Sequence, residues 1–148
     1  MLDRYLSGIQ KSLLRPVAMR LSSYGVTADA LTLTGFLFGV FSAALIVTGY
    51  DGTALILFFL NRLFDGLDGA VARLTGPTDR GAFLDIAFDF AIYAMIPLAF
   101  ALADPTHNAM AASLLLASFM GTSSSFLAFA VIAAKRGATS ASFPQKGI

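Results

Sequence analysis

The residues best suited to chemistry are four aspartates in two short segments. One segment reads Asn61-Arg62-Leu63-Phe64-Asp65-Gly66-Leu67-Asp68-Gly69-Ala70-Val71-Ala72-Arg73, the other Gly81-Ala82-Phe83-Leu84-Asp85-Ile86-Ala87-Phe88-Asp89. If both are helical, spacings of three and four put Asp65, Asp68 and Ala72 on one face, and Asp85 and Asp89 on one face of the next helix. Counted outward from Pro77 in an antiparallel hairpin, Asp68 and Asp85 lie nine and eight residues away and Asp65 and Asp89 both lie twelve away, so each acid has a counterpart at similar depth. Four carboxylates converging on one volume match divalent cations, and an all-oxygen set suits Mg²⁺, Mn²⁺ or Ca²⁺ better than zinc. Gly66, Gly69 and Ala72 leave room beside the acids for a ligand to approach the backbone. Arg62 and Arg73 could neutralise two of the acids, and Asn61 and Arg62, one turn before Asp65, could brace the ligands, Arg62 equally as an internal counter-ion.

These acids must be carried by membrane helices. The chain has 148 residues, 57% of them hydrophobic and 13% charged, with a mean hydropathy of +0.75, which is not the composition of a soluble domain. A spanning helix needs about 20 mostly apolar residues. The sequence predicts at least four spans, at about 30–49, 53–74, 81–103 and 109–134, in a single all-α membrane domain, a polytopic bundle covering residues 1–148. The second begins with the apolar run Ala54 to Leu60 and then turns polar, so its second half cannot face lipid. Turns are expected at Gly49-Tyr50-Asp51-Gly52 and Asp104-Pro105-Thr106-His107-Asn108. Placing one Asp at a helix centre costs about 2.5 to 3.5 kcal/mol, so the quartet demands compensating charge.

Basic residues set the expected orientation. Arg4, Lys11, Arg15 and Arg20 precede the first span, Arg73 and Arg80 flank the loop around Pro77, and Lys135 and Arg136 follow the fourth, while the two opposite loops hold no Lys or Arg. The positive-inside rule then puts both termini and the Pro77 loop in the cytoplasm. Residues 1–24 read as an amphipathic helix at the interface, with Leu2, Tyr5, Leu6, Ile9, Leu13 and Val17 on one stripe, and the N-terminus does not read as a removable signal peptide. Gly35, Gly39 and Ala43, and Ser113, Ala117, Gly121 and Ser125, recur every four residues and invite close packing, within the chain or between chains. A polar tail, 135–148, closes the sequence.

Composition excludes several classes of function. There is no Cys, so no disulfide framework, thiolate zinc site, iron–sulfur centre or cysteine nucleophile. All nine acids are Asp, the formal net charge is +1, and no basic excess argues for a nucleic acid partner. The single histidine, His107, is expected in a loop on the far side from the acids.

The two segments resemble the signature of the CDP-alcohol phosphotransferases (CDP-alcohol phosphatidyltransferases), D-x2-D-G-x2-A-R followed after a short gap by G-x3-D-x3-D. Asp65, Asp68, Gly69, Ala72, Arg73, Gly81, Asp85 and Asp89 fill its eight fixed positions within 25 residues. The seven-residue gap between Arg73 and Gly81 is about one residue shorter than is usual in the family, and members usually have six membrane helices where four are read here. The resemblance implies transfer of a substituted phosphate, commonly phosphatidyl, from a CDP-linked lipid donor such as CDP-diacylglycerol to a small alcohol or phosphorylated alcohol, with release of CMP. It implies Mg²⁺ or Mn²⁺, two ions, on Asp65, Asp68, Asp85 and Asp89, with Asp89 also taking the proton from the attacking hydroxyl. Asp68, Gly69, Ala72 and Arg73 would border the donor nucleotide, with Asn61, Arg62 and Gly81 alongside. It also implies a homodimer in a bacterial-type inner membrane, the active site facing the cytoplasm. Two other readings of the acids are an intramembrane-carboxylate cation carrier and an inactive, truncated family member lacking the last two helices.

Overall fold

The computed structural model describes residues 14–136, all in helices and short links. Five helices follow in order: α1 (residues 14–23), α2 (Ala28–Val47), α3 (Asp51–Thr75), α4 (Asp79–Ala103) and α5 (Pro105–Lys135). Three of them, α2, α4 and α5, are long and apolar enough to cross a membrane. At 20 residues and about 1.5 Å per residue, α2 matches the roughly 30 Å hydrocarbon core. Large apolar side chains lie on the outside of the bundle, among them Phe41 of α2, Phe59 of α3, Leu102 of α4 and Leu114 of α5. An unpartnered apolar exterior of this kind is stable only with lipid as its solvent, and the architecture is a polytopic helical membrane bundle.

Local chemistry explains the helix ends. Thr27 caps α2 by accepting from Ala30 N–H at 3.3 Å, and Thr78 caps α4 by accepting from Gly81 N–H at 3.0 Å. Gly49 and Gly76 adopt positive φ (80° and 98°) where the chain leaves α2 and α3. Two expected turns are shorter than their composition suggests. Asp51 and Gly52 already belong to α3, and α5 starts at Pro105, leaving Asp104 alone between helices. Asp104 accepts from His107 N–H at 3.1 Å, and Pro105 sits where its missing N–H is harmless, so these turn-formers act as a helix start.

Helix α2 packs along both α3 and α4, and α5 packs on α4; among the described residues, the consecutive helices α3 and α4 scarcely approach one another through their backbones. The first small-residue stripe is the reason α2 can serve two neighbours. Gly35 lies against Cβ of Phe64 on α3, and Gly39 lies against Ile92 of α4 and Asn61 of α3. This stripe therefore packs within the chain. The second is exposed along its length, with open space around Gly121. Two apolar clusters bracket the middle of α2. One gathers Ala18, Leu31, Leu67, Ala70 and Val71, and the other Ala43, Ile46, Ala54 and Ala99.

Most of the expected N-terminal stripe lies outside the described residues. Within α1, Leu14, Ala18 and Leu21 turn inward and Val17 is exposed, so the packed face is displaced by one position from the stripe ending at Val17.

Candidate functional site

Between the two apolar clusters, the polar halves of α3 and α4 meet α2. Phe36 stacks on Phe88 with centroids 4.2 Å apart, and Asn61 donates to the carbonyl of Gly35 at 2.9 Å. These contacts fix the positions of α3 and α4 through α2. Asp65, Asp68, Asp85 and Asp89 all line one narrow cavity there, together with Asn61 and Arg62. At about 10 Å³ it holds at most one water-sized species. Beside it opens a cavity of about 600 Å³, within the range of about 300–1,000 Å³ typical of small-molecule sites. Thr32, Asp68 and Asp85 line both.

The four acids have different surroundings. Asp89 is buried and accepts from Arg62 Nη2 at 2.9 Å, with the Tyr93 hydroxyl 3.4 Å from its other oxygen. Asp65 is half-buried, 3.8 Å from Arg62 Nη1. Asp68 is only 4% exposed, and its Oδ2 is buried with no hydrogen-bond partner. Asp85 is half-buried at the junction of the two cavities.

The other expected site residues divide between the cavities. Gly69, Ala72, Arg73 and Gly81 line the larger one, Arg73 from an exposed position. Asn61 and Arg62 line the narrow one, and Gly66 lines neither. Lys135 and Arg136 are exposed and also line neither. His107 is exposed and held by Asp104, 2.8 Å from its Nδ1.

Three further contributors were not singled out by spacing. Tyr93 lies one turn beyond Asp89, and that i, i+4 relation was its only signal. Thr32 enters from α2. Asp29, in the first turn of α2, lines the larger cavity and pairs with Arg80 at 3.5 Å, a solvated contact worth little energetically.

Two observations fit a hard divalent cation: the donor set is oxygen only, and a buried carboxylate oxygen of Asp68 is unsatisfied. As the side chains stand, however, no three carboxylate or imidazole groups among the described residues are gathered closely enough to hold an ion. Asp89 is instead engaged by the guanidinium of Arg62.

Comparison with known proteins identifies the family. A family model described as CDP-alcohol phosphatidyltransferase matches residues 25–146. The chain belongs to that family. It is 50% identical over 135 residues to the inner membrane protein YnjF of Escherichia coli (strain K12), covering 91% of this chain and 66% of the relative. It is 42% identical over 87 residues to the bifunctional IPC transferase and DIPP synthase of Aquifex aeolicus (strain VF5), covering 55% of this chain and 20% of that one. It is 34% identical over 80 residues to the archaetidylinositol phosphate synthase of Pyrococcus horikoshii, covering 53% of this chain and 43% of that one. The chain thus spans less than two thirds of the length of these relatives. No solved structure shows significant similarity to it.

Proposed function

We propose that the chain carries the site of a membrane transferase that moves a substituted phosphate, as a phosphatidyl group, from a CDP-linked lipid such as CDP-diacylglycerol to the hydroxyl of a small alcohol, releasing CMP. One observation carries the reading: the carboxylate-lined cavity abuts a space large enough for a nucleotide, and Asp68 and Asp85 belong to both. A diphosphate lying along that boundary would have its phosphates at the acids and its cytidine beside Gly69 and Ala72.

Asp65, Asp68, Asp85 and Asp89 are the side chains that would hold Mg²⁺ or Mn²⁺, two ions by resemblance to the family. When bound, such ions stabilise negative charge on phosphoryl oxygens as the bond to CMP breaks. Asp89 takes the proton of the acceptor hydroxyl as its oxygen forms the new bond to phosphorus, and the bridging oxygen leaves with CMP. Arg73 borders the nucleotide or its phosphates. Similarity to an archaetidylinositol phosphate synthase, whose product carries a phosphorylated inositol, supports a phosphorylated alcohol among the acceptors.

Helix α3 is the fourth crossing in this reading, its polar half shielded from lipid by α2. The basic residues favour a cytoplasmic N-terminus and site. The donor's acyl chains remain in the bilayer while its head group enters the larger cavity. The small-residue face of α5 suits a second copy of the chain.

The direct test is CMP release from CDP-diacylglycerol in membranes with Mn²⁺ or Mg²⁺ and a panel of alcohols. Turnover should fall by about 10² or more in Asp89→Asn. Full turnover in that variant would remove Asp89 from the chemistry, whereas no CMP release with any of the alcohols, together with metal flux into sealed vesicles without nucleotide, would falsify the transferase reading in favour of a cation carrier.

A further inference from the structure

Among the described residues, Arg62 is the only basic one on the narrow cavity, against four carboxylates. Each of its three guanidinium nitrogens is engaged. Nε donates to Asn61 Oδ1 at 2.8 Å, Nη2 to Asp89 at 2.9 Å and Nη1 to the Tyr93 hydroxyl at 3.5 Å, and Nη1 lies 3.8 Å from Asp65. The rings of Phe58 and Tyr93 flank it, with centroids 5.9 and 5.6 Å away. Asn61 is in turn fixed to the backbone of Gly35. A long, mobile side chain is thereby held in one pose against two of the acids expected to bind metal. Meanwhile no three carboxylates among the described residues are close enough together to close on an ion.

We infer that Arg62 is the resident counter-ion of the acidic site: it neutralises Asp89 and Asp65 before a divalent cation arrives, yields Asp89 when the cation binds, and so sets the affinity for that cation. Two positive species compete for the same oxygens. One guanidinium carries a single positive charge, and for a cation to take Asp89 the 2.9 Å contact must break. The inference rests on the metal-dependent reading above. It differs from a purely bracing role, in which Arg62 aims Asp89 at the ion and its removal weakens binding.

The test is Mn²⁺ affinity, read from the electron paramagnetic resonance signal of the free ion, on the full chain in lipid nanodiscs without donor or acceptor. Arg62→Gln should bind Mn²⁺ about tenfold more tightly than the unaltered chain. Arg62→Lys keeps the charge but loses the planar fork joining Asn61 to Asp89, and should bind about threefold more tightly. Unchanged or weaker affinity in both variants overturns the inference. If the glutamine variant does not fold, the lysine variant decides by the same criterion. Failure of the unaltered chain to bind Mn²⁺ removes the metal-dependent reading and this inference together, whereas binding that neither variant tightens removes only the role of Arg62.

Discussion

Asn61 of α3 donates to the backbone carbonyl of Gly35 on α2 at 2.9 Å while its own carbonyl oxygen accepts from Arg62. One amide thus links the packing of two helices to the placement of the charge that faces Asp89.

Replacing Asn61 with Leu should lower stability by about 1–3 kcal/mol, because a buried polar interaction is lost and Arg62 loses its support. Thermal unfolding in detergent checks this. A variant as stable as the unaltered chain would show that the link is dispensable.

A side chain at position 39 would collide with Ile92, whose Cδ1 and Cγ1 occupy that space, and would crowd the Asn61 amide at 3.2 Å. Ile92 is almost wholly buried and has little room to move. Gly39→Ala should therefore cost about 1–3 kcal/mol through overpacking. Adding Ile92→Val, which removes Cδ1, should recover a measurable part of the loss in a double-mutant cycle. Strict additivity of the two changes would place the strain elsewhere.

Position 69 offers the opposite case. A methyl group there meets nothing closer than Arg73 Nη1 at 3.4 Å, an ordinary contact, and it replaces a mid-helix glycine. Gly69→Ala should leave stability unchanged or raise it by up to about 1 kcal/mol. It should nonetheless raise KM for the CDP-linked donor several-fold by filling part of the larger cavity. Unaltered KM in a stable protein would remove Gly69 from the donor site.

Asp68 carries a buried oxygen with no partner, so its charge is a liability unless a cation joins it. Asp68→Asn should match or exceed the metal-free melting temperature of the unaltered chain and lose the rise in melting temperature on adding Mn²⁺. A full Mn²⁺-induced rise in this variant would exclude Asp68 as a ligand.

The spans of α2 and α4 were legible in the sequence, because unbroken apolar runs of the right length have few alternatives. The acidic quartet was legible too, since spacings of three and four assign faces without knowledge of neighbours. The larger cavity's lining was harder to read. Thr32 and Asp29 reach it from α2, and nothing in local spacing indicates which helix will stand opposite another. The start of α5 was misjudged because Asp and Pro favour turns and helix beginnings alike, and the outcome depends on the residues that follow. In α1 the face that packs on the bundle was not legible, because apolar periodicity marks the large side chains and small Ala18 is the residue that fits against Val71 and Leu67.

Since α3 and α4 meet mainly through their shared neighbour, the spacing of the four aspartates is dictated by a helix that contributes none of them. Helix α2 is the spacer of the candidate site. Added bulk on its glycine face would widen the gap between the two halves of the site, and loss of turnover could then arise from residues that never touch a substrate.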